Sequence, residues 1–82
     1  MSRIAVISAI LEDPKSNQGD FNDVVADFRG SIKGRMGIPY DDGISVISLT
    51  VVGDVDDINN LTGKLGNVNG VTVKTAIAKK EV

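Results

Sequence analysis

The sequence predicts an α+β domain whose elements follow the order β-α-β-β-α-β. Three observations lead to this fold class. Two β-branched runs, 3–11 and 44–52, carry no charge after Arg3 and are typical of strands inside a sheet. After each run, at 16–28 and 55–66, apolar residues recur at helical spacing. A further strand pattern follows each of these helical stretches.

The first strand and the first helix have recognisable ends. The strand 3–11 stops at Asp13-Pro14, because proline has no backbone N–H to donate to a neighbouring strand. For the helix at 16–28, Asp13 or Asn17 is the candidate N-cap and Gly30 is the candidate stop. Its apolar stripe consists of Phe21, Val24, Val25 and Phe28.

The second strand is predicted at 31–38, where residues alternate between two faces. Pro39 limits this strand to a sheet edge, because proline has no backbone N–H to donate. The turn Asp41-Asp42-Gly43 then reverses the chain into the strand 44–52. One face of the second strand is predicted to carry Ile32, Gly34, Met36 and Ile38.

The second half ends with a helix and a strand. Asp54 is the candidate N-cap of the helix 55–66, and Gly66 is a favourable stop. The last strand is predicted at 71–78, and residues 79–82 are expected to form a loose tail.

A short internal repeat supports the same topology. Residues 4–8, IAVIS, return as ISVIS at 44–48, and Gly30 returns as Gly70 at the same offset. Two βαβ halves of this kind are expected in a ferredoxin-like sandwich. Because parallel crossovers are right-handed, both helices should cover one face of a four-stranded antiparallel sheet with strand order 4-1-3-2.

The other face of that sheet is predicted to be apolar and without cover. Both central strands have apolar residues on their two faces, whereas soluble monomers rarely expose large apolar patches. We therefore expect a homodimer or a tetramer about two-fold axes. The alternative is a monomer whose open face is made more polar by Ser8, Ser48 and Thr50. The candidate residues of the oligomer face are Ile4, Val6, Ile44 and Val46.

Composition excludes most catalytic chemistry. The chain has 82 residues, enough for one domain over 1–82, and it contains neither cysteine nor histidine. Thiolate nucleophiles, imidazole acid–base catalysis and Cys/His metal sites are therefore absent. The pairs Asp41-Asp42 and Asp56-Asp57 are interpreted as turn and helix-start residues, not as metal ligands. We predict no catalytic residue, no metal and no cofactor.

Charge and hydrophobicity also limit the partners. A net charge of -2 disfavours direct binding of nucleic acid, whose phosphates attract basic surfaces. No apolar stretch approaches the roughly 20 residues of a membrane span, and no cleavable signal is recognised. The expectation is a cytoplasmic, soluble protein.

Arg35 is the most suggestive polar residue for binding. It stands among glycines, where an arginine can lie along a partner or hold a carboxylate with two hydrogen bonds. The alternative is an ordinary solvated arginine on a strand. The candidate contact residues are Arg35, Gly37, Ile38, Pro39 and Tyr40.

Four runs together resemble a known family. They are GRMGIPY at 34–40, GISVISL at 43–49, INNLTGKLG at 58–66 and GVTVK at 70–74. These runs are similar to small ACT-like proteins that are proposed regulators of the iron-only hydrogenase system. The resemblance implies an ACT-like, ferredoxin-like sandwich that is dimeric or tetrameric and regulatory.

The resemblance also implies where a ligand would bind. ACT domains generally bind a small molecule, often an amino acid, at a subunit interface near the loop between the first strand and the first helix. The matching loop here, 11–15, has no glycine, so the resemblance does not identify the ligand.

Two classes of function follow. The first is a non-enzymatic regulatory module that acts as a homo-oligomer and senses a small-molecule effector or a regulatory protein. The second is a small ferredoxin-like enzyme, such as an acylphosphatase-like hydrolase using one arginine and one asparagine. A pure protein–protein adaptor is a further alternative to ligand sensing.

Overall fold

The computed structural model describes residues 1–40 and 43–82, so the predicted turn residues Asp41 and Asp42 lie outside the described residues. The order of elements is the predicted one, β-α-β-β-α-β. The elements are β1 (Arg3–Glu12), α1 (Pro14–Ala26), β2 (Ser31–Tyr40), β3 (Ile44–Gly53), α2 (Val55–Gly66) and β4 (Val71–Glu81).

The sheet has the predicted topology. Its four strands are antiparallel in the order β2-β3-β1-β4, which is the predicted order 4-1-3-2 counted from the opposite edge. The helix α1 connects β1 to β2 across β3, and α2 connects β3 to β4 across β1. Right-handed crossovers place both helices on the same face.

An apolar core lies between this face and the helices. The buried side chains of β1 and β3 alternate with exposed or half-buried ones, as expected for strands with one covered face. The core consists of Ala5, Ile7, Ala9, Leu11, Phe21, Val25, Ile47, Leu49, Val51, Ile58, Leu61 and Leu65.

The internal repeat corresponds to equivalent positions in the sheet. Ser8 lies directly opposite Ser48 in the pairing of the two central strands. The repeated residues Ile7 and Ile47 are both buried in the core. The two halves of the sequence thus place matching residues on matching faces.

The helix α1 begins earlier than the sequence suggested. It starts at Pro14, a residue suited to the first helical position, directly after Asp13 in the left-handed conformation (φ 62°). The Asp13 carboxylate accepts a hydrogen bond from the Ser16 hydroxyl (2.5 Å) and makes no capping bond to the backbone. Asn17 is not the cap either, because it lies within the helix and is buried.

Gly30 was predicted to end the helix, and this prediction is wrong. The glycine instead allows the start of β2 to lie close to β3. The helix stops at Ala26, and Gly30 directly precedes β2. A Cβ atom at this position would collide with the Val52 carbonyl oxygen and with the Phe28 ring. The glycine is therefore required by close packing.

A β-bulge places Ile32 on the face opposite to the predicted one. The pairing of β2 with β3 shifts between Ile32 and Gly34, so Ile32 lies opposite the buried Val51, on the helix side. A bulge adds one residue to one strand and reverses the faces on either side of it. The remaining predicted residues, Gly34, Met36 and Ile38, share the open face with Thr50, Ser48 and Val46.

Residues 79–81 belong to a strand, which corrects the prediction of a loose tail. After a shift in register, Glu81 lies opposite Arg3, and their side chains form an ion pair at 3.9 Å. The Arg3 guanidinium also donates to the Ala78 carbonyl (3.1 Å), and the Val82 N–H donates to the Ser2 carbonyl (2.9 Å). These contacts with Ser2 and Arg3 hold residues 79–82 in place.

The helix α2 has the predicted bounds. Asp54 stands at the N-cap position, where its carboxylate pairs with the amino terminus (3.6 Å) and makes no capping bond. Two aspartates in its first turn and Lys64 in its last turn complement the helix dipole. Within residues 1–40 and 43–82, neither helix has the length and hydrophobicity needed to cross a membrane.

We expect Gly30→Ala to destabilise the fold. The added methyl group must displace the Val52 backbone or the Phe28 ring, and overpacking of this kind costs about 1–3 kcal/mol. Urea denaturation monitored by circular dichroism measures the loss.

The matched control is Gly63→Ala in α2. A Cβ atom at position 63 meets nothing within 4 Å, so alanine should raise stability by up to about 1 kcal/mol. Equal effects of the two substitutions would contradict the packing role of Gly30.

Candidate functional site

The sheet face opposite the helices, here called the open face, exposes large apolar side chains. They come from β1 in the centre of the sheet and from β2 at its edge, and they are between 40% and 68% exposed. Isolated surface hydrophobics are ordinary, but a contiguous group on one sheet face is typical of an interaction surface. The members of this group are Ile4, Val6, Ile10, Met36, Ile38 and Tyr40.

The registers show how the open face is laid out. Across its middle, Lys74 of β4 lies beside Ser8, followed by Ser48 and Met36. The adjoining row is more apolar and consists of Thr72, Ile10, Val46 and Ile38. A small polar centre is thus bordered by aliphatic side chains.

The four predicted residues of the oligomer face all lie on the open face. Ile4 and Val6 are exposed, whereas Ile44 and Val46 are half-buried. The alternation of side chains between the two faces of β1 and β3 was sufficient to predict this position. Ile10, Met36 and Tyr40 complete the surface, and the same alternation indicated Ile10.

The predicted contact residues lie on one strand but on two faces. All of β2 is exposed, and from Gly34 onward its residues alternate regularly opposite β3. Arg35, Gly37 and Pro39 lie on the helix side, opposite Leu49, Ile47 and Ser45. Ile38 and Tyr40 lie on the open face, opposite Val46 and Ile44. The structure therefore does not bring these five residues together as one cluster.

Arg35 is held in place by α1. Its Nη2 atom donates to the Asn22 Oδ1 atom (2.6 Å), and its guanidinium carbon lies 5.7 Å from the centre of the Phe21 ring. Stacking of a guanidinium on an aromatic ring adds a modest attraction to the hydrogen bond. Arg35 thus links the edge strand to the first helix.

A buried asparagine joins the end of β1 to the turn before β4. The Asn17 Nδ2 group donates to the carbonyl oxygens of Glu12 (2.6 Å) and Asn69 (3.1 Å), and Asn17 is 4% exposed. The Glu12 N–H donates to the Gly70 carbonyl (2.8 Å). The Asp13 N–H donates to Gly43, just before β3 (3.1 Å). We call residues 12–13, 17, 43 and 69–70 the Asn17 junction.

The Asn17 junction retains one buried acceptor. Among the described residues, no hydrogen-bond donor reaches the Asn17 Oδ1 atom. Buried polar atoms nearly always have partners, so this acceptor is an exception among the buried groups of the fold. The sequence signal is an asparagine near the start of the predicted helix, where Asn17 is one of two candidate caps.

A shallow groove also lies between the two helices. Its volume is about 260 Å³, and none of the predicted contact residues lines it. No group of three acidic side chains is arranged for a metal ion in the part of the chain that the structure describes. The groove is lined by Val24, Asp27, Phe28, Arg29, Asp57, Asn60, Leu61 and Lys64.

Comparison with known proteins identifies the family. The TM1266-like family, described as "Iron-only hydrogenase system regulator, putative", matches residues 3–75. The chain belongs to this family. The resemblance seen in the sequence is thereby confirmed.

Solved structures agree with this assignment. The uncharacterized protein TM1266 from Thermotoga maritima is 31% identical, with a TM-score of 0.89 over 96% of this chain and 100% of that one. The ACT domain of GTP pyrophosphokinase from Chlorobium tepidum is 27% identical, with a TM-score of 0.80 over 93% and 100%. The family name and the ACT-domain similarity indicate a regulatory module.

A more distant likeness shows the fold alone. The C-terminal domain of the MgtC protein from Mycobacterium tuberculosis is 10% identical, with a TM-score of 0.68 over 98% of this chain and 92% of that one. No curated protein matches the sequence.

We expect Asn17→Ala to lower stability by about 1–3 kcal/mol. The substitution removes two hydrogen bonds and leaves two carbonyl oxygens of the loops without their shared donor. Thermal unfolding measures the loss. Asn59→Ala, at an exposed position of α2, is the control and should change stability little. Equal melting temperatures for the two variants would contradict the structural role of Asn17.

Proposed function

We propose that this chain is a non-enzymatic regulatory module that acts as a homo-oligomer, in which a bound small molecule or protein changes the state of assembly. The observation that carries the proposal is the open face. Its aliphatic side chains lie on a sheet surface that neither helix covers. A second copy of the chain offers a surface of the same shape and hydrophobicity.

The dimensions of the open face support a subunit interface. Four strands about 4.8 Å apart and ten residues long cover a footprint of roughly 20 by 30 Å. Stable protein interfaces bury about 800 Å² of accessible surface on each partner, a comparable area. Apolar side chains in the middle of such an interface contribute most of the stabilisation.

The Asn17 junction is the proposed effector site. It lies at the end of the sheet where Glu12, Ile44 and Tyr40 form the last row of the open face. ACT domains generally bind ligands near the corresponding loop, and Asp13 adopts the left-handed conformation that glycine often supplies. A ligand donor to Asn17 Oδ1 would bind next to the subunit interface.

Ligand binding and assembly are coupled in this arrangement because the two surfaces share neighbouring residues. A ligand shifts an assembly equilibrium only if it binds one state more tightly than the other. Contacts from Tyr40 or Ile44 of a second copy would supply that difference. Arg35 and residues 37–39 are proposed as the remaining contact residues on the edge strand.

We expect Val6→Glu to weaken self-association at least tenfold. Val6 lies on a central strand of the open face, where an interface would bury the new carboxylate without a partner. Light scattering behind a sizing column, over a series of concentrations, measures the association.

Gln18→Glu is the matched control for this experiment, because it adds the same charge at an exposed position of α1. Gln18→Glu should leave the mass of the assembly, as measured by light scattering, unchanged. A stable 8.6 kDa species of the unmodified chain at micromolar concentration would overturn the homo-oligomer.

We expect one class of small molecule to raise the melting temperature of the native chain. A ligand at a hundred times its dissociation constant stabilises by about 2.7 kcal/mol. A thermal-shift panel of amino acids, nucleotides and divalent ions tests this, and Asn17→Ala should lose the response. No shift with any compound would favour a protein–protein adaptor over a ligand sensor.

A further inference from the structure

Asn69 and Gly70 form the one asparagine–glycine pair of the sequence, in the turn before β4. The Val71 N–H donates to the Val68 carbonyl (3.1 Å), which closes a turn with Asn69 and Gly70 at its two central positions. Gly70 has a φ of 82°, whereas Asp13 is the only non-glycine residue with positive φ in the described part of the chain. A turn with positive φ at its second central position alone is of type II.

An asparagine that precedes a glycine is the one most prone to lose its side-chain amide spontaneously. Glycine has no side chain to shield its backbone nitrogen, so this nitrogen easily approaches the Cγ atom of the preceding asparagine. Every other asparagine of the chain precedes a residue that has a side chain. Asn69 and Gly70 are exposed, and the Gly70 N–H donates to no backbone carbonyl within residues 1–40 and 43–82.

The fold requires glycine at position 70 and thereby keeps the reactive pair. The left-handed φ of this residue favours glycine. A Cβ atom there would also lie 2.8 Å from the Asn17 Nδ2 atom and 2.9 Å from the Glu12 carbonyl oxygen. Backbone conformation and close packing thus exclude the larger residues that would slow the reaction.

The contacts of the turn hold the pair away from the reactive geometry. Ring closure requires rotation about the Cα–C bond of Asn69, which brings the Gly70 nitrogen to the side of the Cβ atom. In a type II turn this bond is extended, with ψ of about 120°, and the nitrogen is turned away from Cβ. Asn17 Nδ2 donates to the Asn69 carbonyl (3.1 Å), and the Glu12 N–H donates to the Gly70 carbonyl (2.8 Å). The carbonyl groups of both residues of the pair are therefore anchored.

We propose that Asn69 is a site of spontaneous covalent modification and that the Asn17 junction controls its rate. While Asn17 holds the Asn69 carbonyl, the nucleophilic nitrogen and the side-chain amide stay apart. Local opening of the junction frees the Cα–C bond to rotate, and native proteins open locally with free energies below that of global unfolding. The extent of modification therefore records how long the junction has been open. This inference depends neither on an oligomer nor on an effector.

The reaction balances with water as its co-reactant. The Gly70 backbone nitrogen bonds to the Asn69 Cγ atom, the Cγ–Nδ2 bond breaks, and the proton from Gly70 leaves with the amide as ammonia. Water then adds to one of the two carbonyl carbons of the succinimide ring and breaks the bond from that carbon to the Gly70 nitrogen. Opening at Cγ gives aspartate. Opening at the backbone carbonyl carbon gives isoaspartate, in which the main chain runs through the former side chain.

Both products change the junction permanently, because the ammonia is lost. Isoaspartate lengthens the main chain by one methylene group and displaces the carbonyl group that Asn17 contacts. Aspartate keeps the main chain but adds a carboxylate to a turn bonded to Glu12, next to Asp13. Like charges repel, so this product also opposes closure of the junction.

Mass spectrometry tests the site of modification. The native chain, incubated at mildly alkaline pH, should gain one mass unit, and peptide mapping should locate the gain at Asn69 ahead of Asn59, Asn60 and Asn67. Enzymatic methylation detects the isoaspartate product. The same chain unfolded in urea should convert several-fold faster. Earlier conversion of another asparagine, or equal rates for the folded and unfolded chains, would overturn the proposal.

Two variants test control of the rate by Asn17. Asn17→Ala removes the donor to the Asn69 carbonyl and should speed conversion several-fold. Gly30→Ala is the matched control, because it strains the packing of β2 against β3 and leaves the turn before β4 unchanged. It should convert at nearly the native rate.

Circular dichroism confirms that both variants fold. An unchanged rate in Asn17→Ala, or equal acceleration by both substitutions, would overturn control by the Asn17 junction, since the rate would then be independent of it or follow global stability. If Asn17→Ala does not fold, the comparison of the native chain with the chain in urea decides.

Discussion

Two helices can cover only one side of a four-stranded sheet, and every other property of this molecule depends on that constraint. The central strands β1 and β3 carry apolar residues toward both sides. One set forms the core against α1 and α2, where Ile7, Leu49 and their neighbours are fully buried. The other set remains in contact with water in a single subunit. The chain is small, so additional burial through association would be a large part of its total stability.

The polar features lie where the apolar surface ends. The Asn17 junction closes one end of the sheet by tying the last residue of β1 to the turn before β4. Arg35 fastens the β2 edge to α1. Both contacts fix backbone that borders the open face. The proposed regulation by assembly is favoured by surfaces that are held in one geometry before a partner arrives, because ordering them on contact would weaken binding.

The sequence was sufficient to predict those features that many side chains specify together, such as strand order, helix positions and the two apolar faces of the sheet. Features specified by one contact were not predictable. A single extra residue moved Ile32 to the opposite face, and no alternation pattern reveals such a bulge. Glu81 pairs with Arg3 at the other end of the chain, so local composition suggested a loose end. Asn17 was mistaken for a cap, because its carbonyl partners are brought near only by the fold.

The opposition of Ser8 and Ser48 gives the open face an approximate internal dyad, since each half of the chain supplies one central strand. Half a turn about this dyad exchanges Ile4 with Ile44 and Val6 with Val46, which keeps the pattern of side chains, but it also exchanges Ile10 with Thr50, which does not. The flanking strands add to this asymmetry, because one side presents the ammonium of Lys74 and the other the thioether of Met36. A copy docked on this surface would therefore meet a different set of groups after half a turn.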